Sequence, residues 1–247
     1  MFKLFNALRF QFLSKNKISK YLLYALGEII LVVIGILIAL NINNANQLKL
    51  QKEKEVKLLT ELKYDLEITL EELKRDIQYL NIQIERGETL ISVFIDSTKA
   101  PENAIDFNSD YAGYTNNVKS YPRTMAYQNL KSLGVDLFSN DSIRFLMTEI
   151  FERKIERLQH WQKSVINREE SLFTNHAQHL KLSKNRTEEN WYDLIPKSLE
   201  RTTENMAFIN EFAMMQDQRH VLWFVLTDLE SEVKHLLNVI EDEQLLN

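Results

Sequence analysis

Apolar residues along this chain follow two patterns. Between Tyr21 and Ile42 they run almost unbroken, with Glu28 the single formal charge, whereas farther on they recur every three or four residues among Lys and Glu. The second pattern is that of helices with one face in a core. The first predicts a helix that is apolar all round, and its 22 residues at about 1.5 Å each match the ~30 Å hydrocarbon thickness of a bilayer. Its strictly uncharged part, Ile29 to Leu40, also suits the length of a signal-peptide core, and the residues on its C-terminal side decide between the two. The chain there reads IALNINNANQ, without small residues in A-x-A order, and the expectation is an uncleaved signal anchor over residues 21–42.

After the span, Leu59, Leu62, Leu66, Leu70, Leu73, Ile77, Leu80, Ile84 and Ile91 keep a three-four rhythm, with Gly87 at one step. No Pro occurs from the span to Ala100, so the membrane helix is expected to continue into this one as a rod of about 75 residues and roughly 110 Å. From about 96 to 138 the period is lost in a loop-rich insert, relieved by a short helix from Arg123 to Leu133 that stops at Gly134. A second long helix starts from the capping residues Ser139 to Ser142 and repeats Ile143, Met147, Ile150, Leu158, Val165 and Leu172. After a polar break ending near Pro196, a last helix carries Met206, Ile209, Phe212, Trp223, Leu226, Leu229, Val233, Leu236 and Ile240. The expected fold is all-α: one transmembrane helix continuing into a long helix, and an antiparallel helical bundle over residues 43–247, outside the cytoplasm.

Composition agrees, with five Gly and three Pro in 247 residues, too few for a fold of many strands and tight turns. There is no cysteine, which excludes disulfides, zinc-thiolate sites and cysteine nucleophiles. Charge is uneven. Residues 1–47 hold five basic residues against Glu28, a balance of +4, which leaves −9 for the rest of a chain whose total is −5. That acidic remainder argues against nucleic acid as a partner. The basic tail, residues 1–20, is expected to stay in the cytoplasm, with Tyr21 and Tyr24 as anchors at the inner headgroups and the lipid bilayer as first partner. The tail's Phe2, Phe5, Leu8 and Phe12 suit either a segment lying in the interface or an ordinary positive flank.

Glu28 is the unusual residue. On a helix it shares a face with Ala25, Val32, Gly35, Ala39 and Ile42, and Gly35-x-x-x-Ala39 is a small-x-x-x-small pair of the kind that lets membrane helices approach. An ionised carboxylate at the bilayer centre costs about 2.5–3.5 kcal/mol on insertion scales, so Glu28 must be neutral, paired or bent toward the cytoplasmic interface. It either serves a proton-responsive or partner-pairing role or hydrogen-bonds its equivalent in a sister chain.

Other candidate chemistry is sparse. Tyr111, Tyr114 and Tyr121 in the insert suit a partner or ligand loop, or equally rings that cap a helical core. His176 and His179 form H-x-x-H and Glu232-x-x-His235 is a single E-x-x-H, whereas a di-metal carboxylate bundle wants two such motifs and two further glutamates. Neither a G-x-S-x-G elbow nor a glycine-rich phosphate loop is present. No metal, cofactor or enzyme activity is expected.

The stretch YLLYALGEIILVVIGILIALNINNANQ, the Lys/Glu-rich helix after it, and YQNLKSLGVDLFSNDSIR together resemble an uncharacterised family of membrane-anchored proteins of Bacteroidota. Its pattern is a GEI(I/V)LVVIGILIAL anchor followed by INN-x-N, then an L-K-S-x-G stretch before a helix. This chain has Ala45 where family members often carry tryptophan. The resemblance implies an anchor and a cell-envelope location, and no activity. The leading expectation is a non-enzymatic scaffold or interaction protein that binds itself or another membrane protein through helix faces. An accessory subunit of an ion-coupled transport or energy-transduction complex using Glu28 is the alternative, and a periplasmic ligand sensor working through a partner is a third.

Overall fold

In the computed structural model of the chain, residues 18–96, 111, 118–134, 138–182 and 194–245 are described, and they are almost wholly helical. Helix α1 runs without interruption from Ile18 to Ile95, as the absence of Pro and the low glycine content predict. The short α2 covers Met125–Leu133 and α3 Asp141–Thr148, which passes through a π-helical turn, Glu149–Lys154, into α4, Ile155–His176. A 3-10 turn at Ala177–His179 leads to β1, Leu180–Leu182, and after β2, Leu194–Pro196, come the five-residue α5, Leu199–Thr203, and the long α6, Met206–Leu245. The chain divides into two units, Met1–Val56 and Lys57–Asn247.

In the second unit the long helices share their apolar stripes. Leu62, Leu66, Leu73 and Leu80 of α1 are buried in one cluster with Leu158 and Val165 of α4 and Leu226, Leu229, Val233 and Leu236 of α6. Polar contacts at the margins fix direction. Lys154 reaches Asp228 at 2.6 Å while Asn175 reaches Glu211 at 3.1 Å, so α4 and α6 run antiparallel. Lys63 meets Glu241 at 2.9 Å, and Gln216 donates to the Ile84 carbonyl at 2.7 Å, so α1 and α6 do too.

The π turn has a cause in the sequence. Continuing at α-helical spacing from buried Ile150 would bring Arg153 or Lys154 to the core three or four residues later. The extra residue accommodated by the π turn brings in Ile155 instead, and Lys154 is left at the margin for Asp228.

Helix α2 is held from outside itself. Its N-cap Thr124 makes no side-chain cap; the Ala126 amide donates instead to Asp65 Oδ2 of α1 at 3.0 Å, and the Arg123 amide just before the helix to Thr69 Oγ1 at 3.0 Å. At its end Gly134 has φ +100°, a positive value that glycine adopts without steric cost, and its amide returns to the Leu130 carbonyl. Asn140 caps α3, accepting from the amides of Ser142 and Ile143, as the capping cluster predicts.

The polar break contains more order than its composition suggests. Leu180 to Leu182 pair antiparallel with Leu194 to Pro196, a small sheet that the sequence reading did not expect. Buried Leu180 and Ile195 tie it to a second apolar cluster, and Pro196 sits at the end of its strand, where a missing donor is tolerated.

The Tyr127 ring stacks on Phe151 at 4.3 Å and its hydroxyl donates to Glu152 at 2.9 Å. Burial, and then the bond to Glu152, push its phenol up to about 12. The folded state therefore favours the neutral phenol: its stabilisation is complete below pH ~10, where the unfolded phenol titrates, and is lost as pH rises to ~12. We predict that raising pH from 9 to 12 removes about 2 kcal/mol more stability from the wild type than from Tyr127→Phe, read as denaturant midpoints by circular dichroism. In the core, Leu229→Ala is expected to cost about 2–5 kcal/mol by the same measurement.

Candidate functional site

In the first unit α1 presents apolar side chains on every side. From Leu22 to Ile42, fourteen large apolar residues stand exposed, Leu31 at 74% and Ile42 at 66% among them. A surface helix of a water-soluble domain shows a polar face, whereas here none exists between Ile29 and Leu40. Among the described residues this is the one helix long and apolar enough to cross a membrane.

Glu28 lies in this exposed band, one turn beyond Tyr24, which is 75% exposed, while Tyr21 is half-buried. At 100° per residue Glu28, Gly35 and Ala39 fall within about 20° of one line, with Val32 at roughly 40° and Ala25 at roughly 60° beside it. Helix α1 is continuous through all of them, which puts these positions on one face. Among the described residues nothing lies within 4 Å of the space a Cβ would occupy on Gly35. Within the described residues the stripe is left uncovered at Gly35.

The tyrosines of the insert do not act as a set. Tyr111 is fully buried and stacks on Phe212 at 6.3 Å, Tyr121 is 73% exposed, and Tyr114 lies outside the described residues. Of the two histidine motifs, His176 is buried, edge-on to Phe208, with its Nε2 3.4 Å from Glu211, and its ring centroid is 6.3 Å from that of His179. Glu232 faces Lys154 at 3.7 Å while His235 is exposed, so the two ends of the E-x-x-H motif look in different directions. Among the described residues no group of three potential metal ligands comes together.

A feature that the sequence reading passed over lies inside the second unit. Gln83, Glu169, Gln216 and Arg219 are all buried, and Arg219, 1% exposed, is the largest side chain in the interior. The contacts that flank them place Glu169 and Arg219 at one level of the antiparallel α4–α6 pair, and both are engaged in interactions. The signal was in the stripe itself. Glu169 stands four after Val165 and three before Leu172, and Arg219 stands four after Met215 and three before Leu222, so both are polar residues in core phase.

Substitutions separate the open stripe from the buried layer. Gly35→Ala is expected to leave the unfolding of the second unit unchanged within about 0.5 kcal/mol, because the added methyl meets open space. Arg219→Ala, which removes the largest fully buried side chain among the described residues and leaves a cavity, is expected to cost about 3 kcal/mol or more; both are read as denaturant midpoints on the full chain.

No curated protein and no solved structure matches the chain. A family model does match over residues 28–185, which takes in the anchor stripe, the insert and the π turn, and the chain belongs to that family, DUF6090, a family of unknown function.

Proposed function

We propose that this chain is a single-pass protein of the cell envelope, held in the cytoplasmic membrane by residues 21–42, and that it serves as a non-enzymatic scaffold acting through helix faces. The observation that carries this reading is the all-round apolar, exposed stretch of α1 from Leu26 to Ile42 in the first unit, followed by a second unit whose described buried clusters use only its own residues. Lys3, Arg9, Lys15, Lys17 and Lys20 precede the span and no charge occurs from Asn41 to Gln47, which supports a cytoplasmic basic tail and a periplasmic second unit.

Self-association through the Glu28, Gly35 and Ala39 face is the interaction this layout favours. Small residues permit close backbone approach, and in hydrocarbon a carboxyl gains most by hydrogen-bonding a polar group on a neighbouring helix. The exposed position of Glu28 within the apolar band also supports the second reading, an accessory subunit of an ion-coupled complex in which this carboxyl takes up and releases a proton.

The chain lacks cysteine, so single-cysteine variants report one position each. In native membranes under mild oxidation we expect Ala39→Cys to form a disulfide-linked dimer and Leu37→Cys, half a helical turn away, to remain monomeric. Equal crosslinking at both positions, or none at either, contradicts the stripe as the contact face. In the Ala39→Cys background, Glu28→Gln should reduce the dimer only a few-fold if the acid packs, since an amide still hydrogen-bonds. A dimer left intact alongside loss of a proton-driven process would favour the second reading.

A further inference from the structure

The apolar interior of the second unit is two clusters, and the three long helices pass from one to the other at the same level. Among the described residues the larger cluster has 27 buried residues and extends to Ile84 on α1, to Val165 on α4 and back to Leu222 on α6. The smaller has eleven, taking over at Leu90 on α1, at Leu172 on α4 and up to Met215 on α6. Between them lie buried polar residues, Glu169 on α4 and Gln216 and Arg219 on α6, with Gln83 of α1 beside Ile84 at the edge of the larger cluster.

We propose that the smaller cluster is a lobe that opens as one cooperative piece while the larger core stays folded, with the polar layer as its boundary. Apolar burial is the main favourable term in folding, and the lobe has less than half as many buried side chains to draw on. Every long helix also has an end in it: α1 stops at Ile95, α4 stops at His176 and α6 begins at Met206. Loss of the lobe therefore breaks no helix in its middle. The polar layer interrupts the continuous apolar packing that would otherwise tie one cluster to the other, and the Gln216 bond to the Ile84 carbonyl stays on the side of the larger core.

The lobe is built around aromatic rings. Phe94 meets Phe208 and Phe212 edge-on at 5.7 and 5.2 Å, and Tyr111 stacks on Phe212. Opening exposes this aromatic surface and releases Tyr111 from it, while residues 118–134 and 138 stay attached to the larger core. Such a device alters what the second unit displays without unfolding it, and it operates wherever the N-terminal helix resides.

Simple fraying of helix ends is the competing account, and hydrogen exchange separates the two. On the full chain in lipid nanodiscs, amides of residues 90–95, 172–176 and 208–215 should exchange at one common rate, about tenfold or more above residues 62–80 and 222–240, with a step at the polar layer. Phe212→Ala should accelerate the lobe by roughly a hundredfold and leave residues 222–240 unchanged. A lobe already open in that variant above a protected core supports the proposal equally, and Phe212→Leu then supplies the graded effect. Rates that climb steadily toward each helix end, or equal acceleration of both clusters by Phe212→Ala, would overturn the proposal.

Discussion

Between Tyr21 and Ile42 the helix is apolar all round and long enough to cross a membrane, and the function proposed for the chain depends on that constraint. Fourteen Leu, Ile and Val residues lie in this stretch, and at about 0.3–0.6 kcal/mol each on an insertion scale they favour hydrocarbon by roughly 4–8 kcal/mol. One ionised carboxylate costs about 2.5–3.5 kcal/mol at the centre of the bilayer and less toward its edge. On this balance the apolar side chains outweigh the carboxylate, so Glu28 does not exclude the segment from a membrane. The buried clusters of the second unit draw, among the described residues, on its own stripes alone.

Within that second unit the helices are joined by corrections as much as by regular packing. The π turn at Glu149–Lys154 moves a pair of basic residues out of core phase and brings Ile155 in. Asp65 and Thr69 of α1 accept from backbone amides at the start of α2, so the short helix is positioned by a long one. These contacts link elements far apart in sequence, and they give the insert a fixed attachment. Beyond the insert, buried polar residues on α4 and α6 lie between the two apolar clusters.

The elements most legible in the sequence are those whose signal is a long period. The stripe from Leu59 to Ile84, the stripe of α6 and the unbroken run of the anchor all demand a helix, and each is one. The Asn140 cap and the positive φ at Gly134 were legible because a single residue type fits each role. The short strands were not, since three residues on either side of a polar break show no alternation to read. The π turn was half-visible as a gap of five between Ile150 and Ile155. The polar layer was hidden because a Glu or Arg in the phase of an apolar stripe has the same residue type as the solvated faces beside it. At the candidate site, the Glu28, Gly35 and Ala39 face was read from spacing alone, because a regular helix converts spacing into azimuth directly. The fate of the tyrosines was not, because loop residues have no period from which to infer burial.

The central claim is that residues 21–42 cross a membrane with the basic tail inside. Labelling with a membrane-impermeant maleimide tests it most directly, since the chain has no cysteine of its own and Ser14→Cys and Ser231→Cys place one thiol on either side of the span. In intact spheroplasts the account predicts that Ser231→Cys is labelled and that Ser14→Cys is labelled only after the membrane is permeabilised. Labelling of both thiols in intact spheroplasts, or of neither, would contradict it.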